Sequence, residues 1–165
     1  MSKMEVFFDY SCPFCLKGHE FLMDLIGNYP KVEIEWVPCE AHPRPEPGPH
    51  SDLCIQGMFF ALENGADLDA YHDRMYKAIL KDRIDREDID ALADLVSDIL
   101  DADAFKKALK SGLYRERQLG NNKYTFEQSG VWAVPSYRMD GKKLDSIENV
   151  GVSKEDLADF MAGAR

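Results

Sequence analysis

No stretch of this chain approaches the ~20 consecutive apolar residues of a membrane-spanning helix. Positive charge is also scarce: 20 Lys and Arg stand against 30 Asp and Glu, a formal net charge of −10, and the basic residues are scattered. Nucleic acid and anionic membrane surfaces both call for a basic face, so neither is expected as a partner. Met1–Tyr10 runs straight into an apolar segment of strand length, without the longer apolar stretch and small-residue cleavage site of a secretory signal. A cytoplasmic location is therefore the expectation. Only four cysteines occur, and in a reducing compartment so few thiols are more often reactive or metal-binding than structural. There is no second Cys-x-x-Cys, no internal repeat and no low-complexity tract.

What is present is an ordinary globular composition of 165 residues, 45% apolar and 30% charged, enough for one core in a single domain. Residues 4–9 read as a short buried strand rich in aromatic and β-branched side chains. Pro13 suits the first position of a helix, where a missing N–H costs nothing. Phe14, Gly18, Phe21, Leu22, Leu25, Ile26 and Tyr29 then recur at helical spacing until Gly27-Asn28 and Pro30 end the pattern. Lys31–Pro38 reads as a second strand, and strand–helix–strand over so few residues predicts a parallel pair. The stretch 39–50 carries Pro43, Pro45, Pro47 and Pro49, just after Pro38, and reads as a stiff loop.

Residues 50–130 read as helical. One helix carries Leu53, Met58, Phe59 and Leu62, and the next Leu68, Tyr71, Met75 and Ile79. The clearest stripe runs Ile89, Leu92, Ala93, Val96, Ile99, Leu100. A shorter one holds Phe105, Ala108 and Leu109 and stops at Ser111-Gly112. Residues 114–129 are more polar and continue as helix. Ser136–Asp140 and Lys143–Ile147 then flank Asp140-Gly141, a hairpin signal, and Ser153-Lys-Glu-Asp156 opens a final helix.

The chemistry concentrates at Cys12-Pro-Phe-Cys15, just after a strand and at the mouth of a helix. Disulfide exchange needs a thiolate, and the unpaired N–H groups and positive dipole end of a helix N-terminus stabilise one at Cys12. Cys15 lies one turn further in, on the side of Leu22 and Ile26, so it is the more buried thiol. Cys12 therefore attacks and Cys15 resolves, with Pro13 and Phe14 shaping the redox poise. Half of a zinc site has the same spacing, but no second half exists here.

The segment Val6-Phe-Phe-Asp-Tyr-Ser-Cys-Pro-Phe-Cys15, the helical block, and Gly130-Val-Trp-Ala-Val-Pro135-Ser-Tyr resemble the DsbA-type thioredoxin-fold oxidoreductases, nearest their FrnE-like branch, which lacks a secretion signal. The resemblance runs from residue 4 to about 162. It implies an α/β thioredoxin-like fold, βαβ…ββα, with a core of residues 1–49 and 131–165 and an all-helical insertion over 50–130. It further implies that Pro135 is cis and faces the cysteines, and that the Val134 backbone receives an incoming peptide by strand addition. Two positions depart from the family: Ala133 precedes Val134 where a glycine is frequent. Val6 stands where some relatives carry a buried acid, with Glu5 beside it.

The expected function is thiol–disulfide exchange or isomerisation on protein or peptide substrates, with glutathione a candidate partner and no cofactor or metal. Cys12, Cys15 and Pro135 are the catalytic set, and Pro13, Phe14, Trp132 and Val134 contact substrate. A glutathione-dependent isomerase or transferase on the same fold, and a metal-binding protein, are the rivals. Cys39, His42, His50 and Cys54 form a C-x2-H…H-x3-C pattern, read first as ordinary thiols, next as a disulfide or second redox pair, and last as a zinc site. His19 reads as a surface residue, His72 as packing, and Phe7, Phe8, Phe59 and Phe60 as core.

Overall fold

The computed structural model describes every residue from Met1 to Arg165. Four strands, β1 (Ser2–Phe8), β2 (Val32–Pro38), β3 (Ser136–Met139) and β4 (Lys142–Leu144), form one sheet in the order β2–β1–β3–β4. β1 runs parallel to β2, with Val6 opposite Trp36, and antiparallel to β3, with Val6 opposite Tyr137. A strand covered on both faces reads as a continuous apolar run, and this is what Val6-Phe-Phe signalled. Val6 and Phe8 enter the main core, while Phe7 is buried on the other face with Val37 and Val131. Helix α1 (Pro13–Leu25) makes the crossover and buries Cys15, Gly18, His19 and Leu22. The last helix, α7 (Lys154–Ala162), packs against α1 and is capped by Ser153, whose Oγ accepts the Asp156 N–H at 3.1 Å.

Between β2 and β3 lie α2 (Asp52–Glu63), α3 (Leu68–Tyr76), α4 (Ile89–Leu95), α5 (Ala102–Ser111) and α6 (Arg115–Lys123). α2 is their hub: every residue from Cys54 to Ala61 is buried, against α3, α5 and α6. Gly57 permits this, since a Cβ there would lie 2.7 Å from the Phe105 ring and closer still to the Tyr71 hydroxyl. The turn at Asp140 and Gly141 has φ of 53° and 76°, the paired positive values of a type I′ hairpin.

Three expectations are corrected. The stripe through Ile99 and Leu100 is not one helix, because α4 stops at Leu95. The Arg74 guanidinium on α3 takes the Leu95 carbonyl at 3.2 Å and also binds Asp98, and the chain turns inward so that Ile99 and Leu100 still reach the core. Leu62 is exposed, at the outer end of α2. The fourth strand ends at Leu144 rather than continuing to Ile147, because the Ser146 hydroxyl turns in to the Pro135 carbonyl and Ile147 forms an isolated bridge with Gly151. α3 and α6 each run on into a π-helical turn, at Lys77–Lys81 and Tyr124–Gln128, where a helix was expected without distinction of type.

Candidate active site

Cys12 is the N-cap of α1 and Pro13 its first residue. The first turn holds no acid, so no carboxylate of the helix itself offsets the positive end of its dipole. The Cys15 N–H donates to the Cys12 sulfur at 3.3 Å. On its other side that sulfur lies 3.6 Å from the Val134 carbonyl, across a sequence separation of 122 residues. The Val134–Pro135 peptide is cis. Two serines fix this loop: Ser136 donates to the Ala133 carbonyl at 2.6 Å, and Ser146 to the Pro135 carbonyl. Gly18 lets α1 pass directly beneath, since a Cβ there would lie 3.2 Å from the Pro135 ring and 2.8 Å from the Tyr137 hydroxyl.

A groove of about 330 Å³ runs over Cys12. Pro13, Phe14, Trp132 and Val134 line it together with His42 and the turn Ser146–Asn149. Trp132 and Ile147 are about two-thirds exposed on its rim, as is nearby Val150. Gly151, at φ +85°, brings the far wall onto Phe14, where a Cβ would meet the ring's own Cβ at 3.2 Å.

The profile of the DSBA-like thioredoxin domain matches residues 3–161. The chain belongs to the DsbA-like family of thioredoxin-fold thiol–disulfide oxidoreductases. Among its relatives is YwbO of Bacillus subtilis (strain 168), an uncharacterized protein 27% identical over 81% of this chain and 84% of its own length. Among solved structures, the probable DsbA oxidoreductase from Streptomyces coelicolor superposes with a TM-score of 0.80 at 15% identity, covering 99% of this chain and 90% of its own. Chlamydia trachomatis DsbA gives 0.71 at 15% identity, over 98% and 85%.

In this DsbA-like domain the two thiols are electrostatically unequal. The Cys12 pKa is lowered, first by the hydrogen bond from the Cys15 thiol and then by the Cys15 and Phe14 backbone N–H groups, against burial and the Asp9 charge. Cys15 is pushed well up by burial, and further by the same shared hydrogen bond and the charge on Cys12. The buried carboxylate whose charge acts on both thiols is Asp9, just after β1. It accepts from the Ser11 N–H at 2.9 Å, the Ser11 hydroxyl at 2.8 Å and the Ala41 N–H at 2.8 Å. Asp9 thus ties the cysteine loop to the loop after β2. Glu5 lies on the other face and binds the Tyr124 hydroxyl, while Val6 is core.

His19 is a correction: only 6% exposed, it binds Asp73 at 3.2 Å and sits among the rings of Trp36, His72 and Tyr76. α1 passes under α3, which the periodicity of α1 alone does not reveal, and no hydrogen bond joins His19 to either thiol. His72 packs as expected, its Nδ1 2.8 Å from the Tyr10 hydroxyl and its pKa lowered by burial to about 3. The Cys39-His42-His50-Cys54 pattern does not converge. Cys39 points at the Phe8 carbonyl, His50 lies between the Glu46 carbonyl and Glu87, and His42 is exposed. All four cysteines are free thiols, and no three His, Cys, Asp or Glu side chains are placed to hold a metal ion. Ser146 and the burial of Asp9 had no sequence signal, since each depends on a contact with another segment, the Pro135 carbonyl and the Ala41 N–H.

Gly18→Ala is expected to destabilise the domain by about 1–3 kcal/mol, because the added methyl forces Tyr137 or Pro135 aside. Urea denaturation measures the loss. Slower alkylation of Cys12 in the folded variant would show that the Pro135 side of the groove had moved as well.

Proposed function

We propose that this DsbA-like domain is a cytoplasmic protein-disulfide oxidoreductase and isomerase of the FrnE-like branch, working on protein or peptide substrates. The observation that carries the proposal is the unequal thiol pair at the mouth of α1, facing Val134–Pro135 across a groove. The Cys12 thiolate attacks a substrate disulfide, forming a Cys12–substrate bond as the substrate S–S bond breaks, and the leaving sulfur takes up a proton. Cys15, once deprotonated, attacks the Cys12 sulfur, closing the Cys12–Cys15 disulfide and releasing the second substrate thiolate. Two electrons pass to the substrate. Where a different substrate thiolate attacks the substrate sulfur of the mixed disulfide before Cys15 does, a new substrate disulfide forms, Cys12 leaves as thiolate, and the net result is isomerisation. Glutathione is the proposed donor that restores the dithiol. Pro135 and the Val134 backbone position the substrate strand, and Pro13, Phe14 and Trp132 contact its side chains; the exposed apolar rim suits unfolded polypeptide.

Cys15→Ser removes the resolving thiol, so the Cys12 thiolate can still open a substrate disulfide but cannot be released, and mixed disulfides on Cys12 are expected to accumulate to near stoichiometry with a disulfide-bonded substrate. Non-reducing gels and intact mass measure them. Equilibration of the native pair against glutathione buffers should show a two-electron transition. Glutathione binding without any such transition would favour a glutathione-dependent transferase. For the location, fractionation of the native host is the test, and recovery outside the cytosol would overturn it.

A further inference from the structure

Beside the Cys12 groove lies a second cavity, of about 170 Å³, lined mostly by polar residues with Pro47 and Pro49 in its walls. Asp9, Ser11, Glu40, Ser51 and Arg86 line it, and Ser11 and His42 border both spaces. Glu40 is only 3% exposed. Its Oε1 is held by the side-chain amides of Gln118 and Asn122 on α6, while its Oε2 is buried with no partner in the protein. Opposite in chemistry is Arg86: its Nη2 donates to the Pro49 carbonyl at 2.9 Å, and its Nε is likewise buried and unpartnered. The Asp9 oxygens are already taken by Ser11 and Ala41. Glu40 and Arg86, which both line this cavity, thus each keep one buried polar atom without a partner, which is costly unless something satisfies it.

We propose that this cavity is a subsite for the α-amino-acid head of glutathione, its ammonium on Glu40 Oε2 and its carboxylate on Arg86 Nε. A zwitterion supplies what the two atoms lack. The volume is several times the ~30 Å³ share of one water, so the site has room for such a head. The reach also fits. Asp9 and Cys12 close a tight turn, with the Cys12 N–H on the Asp9 carbonyl at 3.1 Å, which keeps their Cα atoms within about 7 Å. The γ-glutamyl-cysteine unit reaches further than the ~7 Å of two extended α-linked residues, because its γ-linkage puts the glutamyl side-chain carbons in the path. With the head held there, the glutathione thiolate attacks the Cys12 sulfur of the Cys12–Cys15 disulfide, a Cys12–glutathione bond forms, and Cys15 leaves and takes up a proton. A second glutathione thiolate then attacks the glutathione sulfur, freeing Cys12 and releasing glutathione disulfide.

The inference rests on the thiol exchange proposed above, and the test separates the two. Oxidised protein is reduced with glutathione and, in parallel, with 2-mercaptoethanol, which has no amino-acid head. In Glu40→Gln and in Arg86→Gln the ratio of the glutathione rate to the 2-mercaptoethanol rate is expected to fall about tenfold. S-methylglutathione, which binds without reacting, is expected to slow the glutathione reaction of the native protein and to lose that effect in Arg86→Gln. An unchanged ratio with no protection would mean that the cavity holds only water, and overturns the subsite alone. Failure of both thiols to reduce the native pair overturns the exchange reading and the subsite together. Should Glu40→Gln not fold, Arg86→Gln and the S-methylglutathione protection still decide.

Discussion

Cys12→Ser is expected to abolish disulfide exchange, a loss on the order of 10³-fold or more, while leaving the fold intact. The chemistry needs a polarisable sulfur that ionises near neutrality, which a serine hydroxyl does not. The fold does not need it: Cys12 is only partly buried, and serine is a favoured N-cap that can accept the same Cys15 N–H. An insulin-reduction assay with a glutathione supply reads the activity, and a thermal melt reads the fold. Turnover retained in a folded Cys12→Ser protein would sink the mechanism. The native protein offers a companion observation in its pH profile. Because the Cys12 pKa is lowered, its alkylation rate should rise and level off below the pH at which a free thiol, with a pKa near ~8.5, titrates. Cys15, pushed the other way by burial, should stay protonated and unreactive across that range.

Phe105→Ala is expected to cost about 3–5 kcal/mol, a large share of the ~5–15 kcal/mol that holds a domain of this size. Phe105 is fully buried, stacks edge-on against Phe60 at 5.7 Å between centroids, and lies over Gly57 on the hub helix. Its removal leaves a hole that five rigid helices cannot collapse to fill. A fall in melting temperature of roughly 6–20 °C follows for a chain of this length. The two positions are coupled. Gly57→Ala in the native protein drives a methyl into the Phe105 ring, so it should destabilise, but part of that cost should vanish in the Phe105→Ala background. Equal costs in the two backgrounds would show that the Tyr71 hydroxyl, not the ring, limits Gly57.

What was legible in the sequence is what local chemistry decides. The strand–helix–strand order, the Asp140-Gly141 turn, the Ser153 cap and the stop at Gly112 each depend on residues within a few positions of one another. The Cys12-Pro-Phe-Cys15 pair belongs to the same class, since a helix N-terminus activates whatever thiol caps it. Features set by distant partners were not legible. The end of α4 depends on Arg74 reaching back from α3, and the burial of His19 depends on α3 crossing α1. The inward turn after β4 depends on Ser146 meeting Pro135. Half of the candidate site was therefore readable from short-range pattern. The other half, Val134–Pro135, came from resemblance, because no periodicity announces which loop will fold over a thiol.

The separation of 122 positions from Cys12 to Val134 also has a meaning in time. At ~5–20 residues per second, the ribosome adds Val134 roughly 6–24 s after Cys12. The residues of β1, α1 and β2 are all synthesised by Pro38, so the nucleophile and the helix that caps it exist as chain long before the loop that governs what may approach it. A nascent chain of this protein passes through an interval as an unsupervised thiol. Stalled or truncated products ending before residue 134 should carry reactivity without selectivity, and be recovered bonded to whatever disulfide lay nearest.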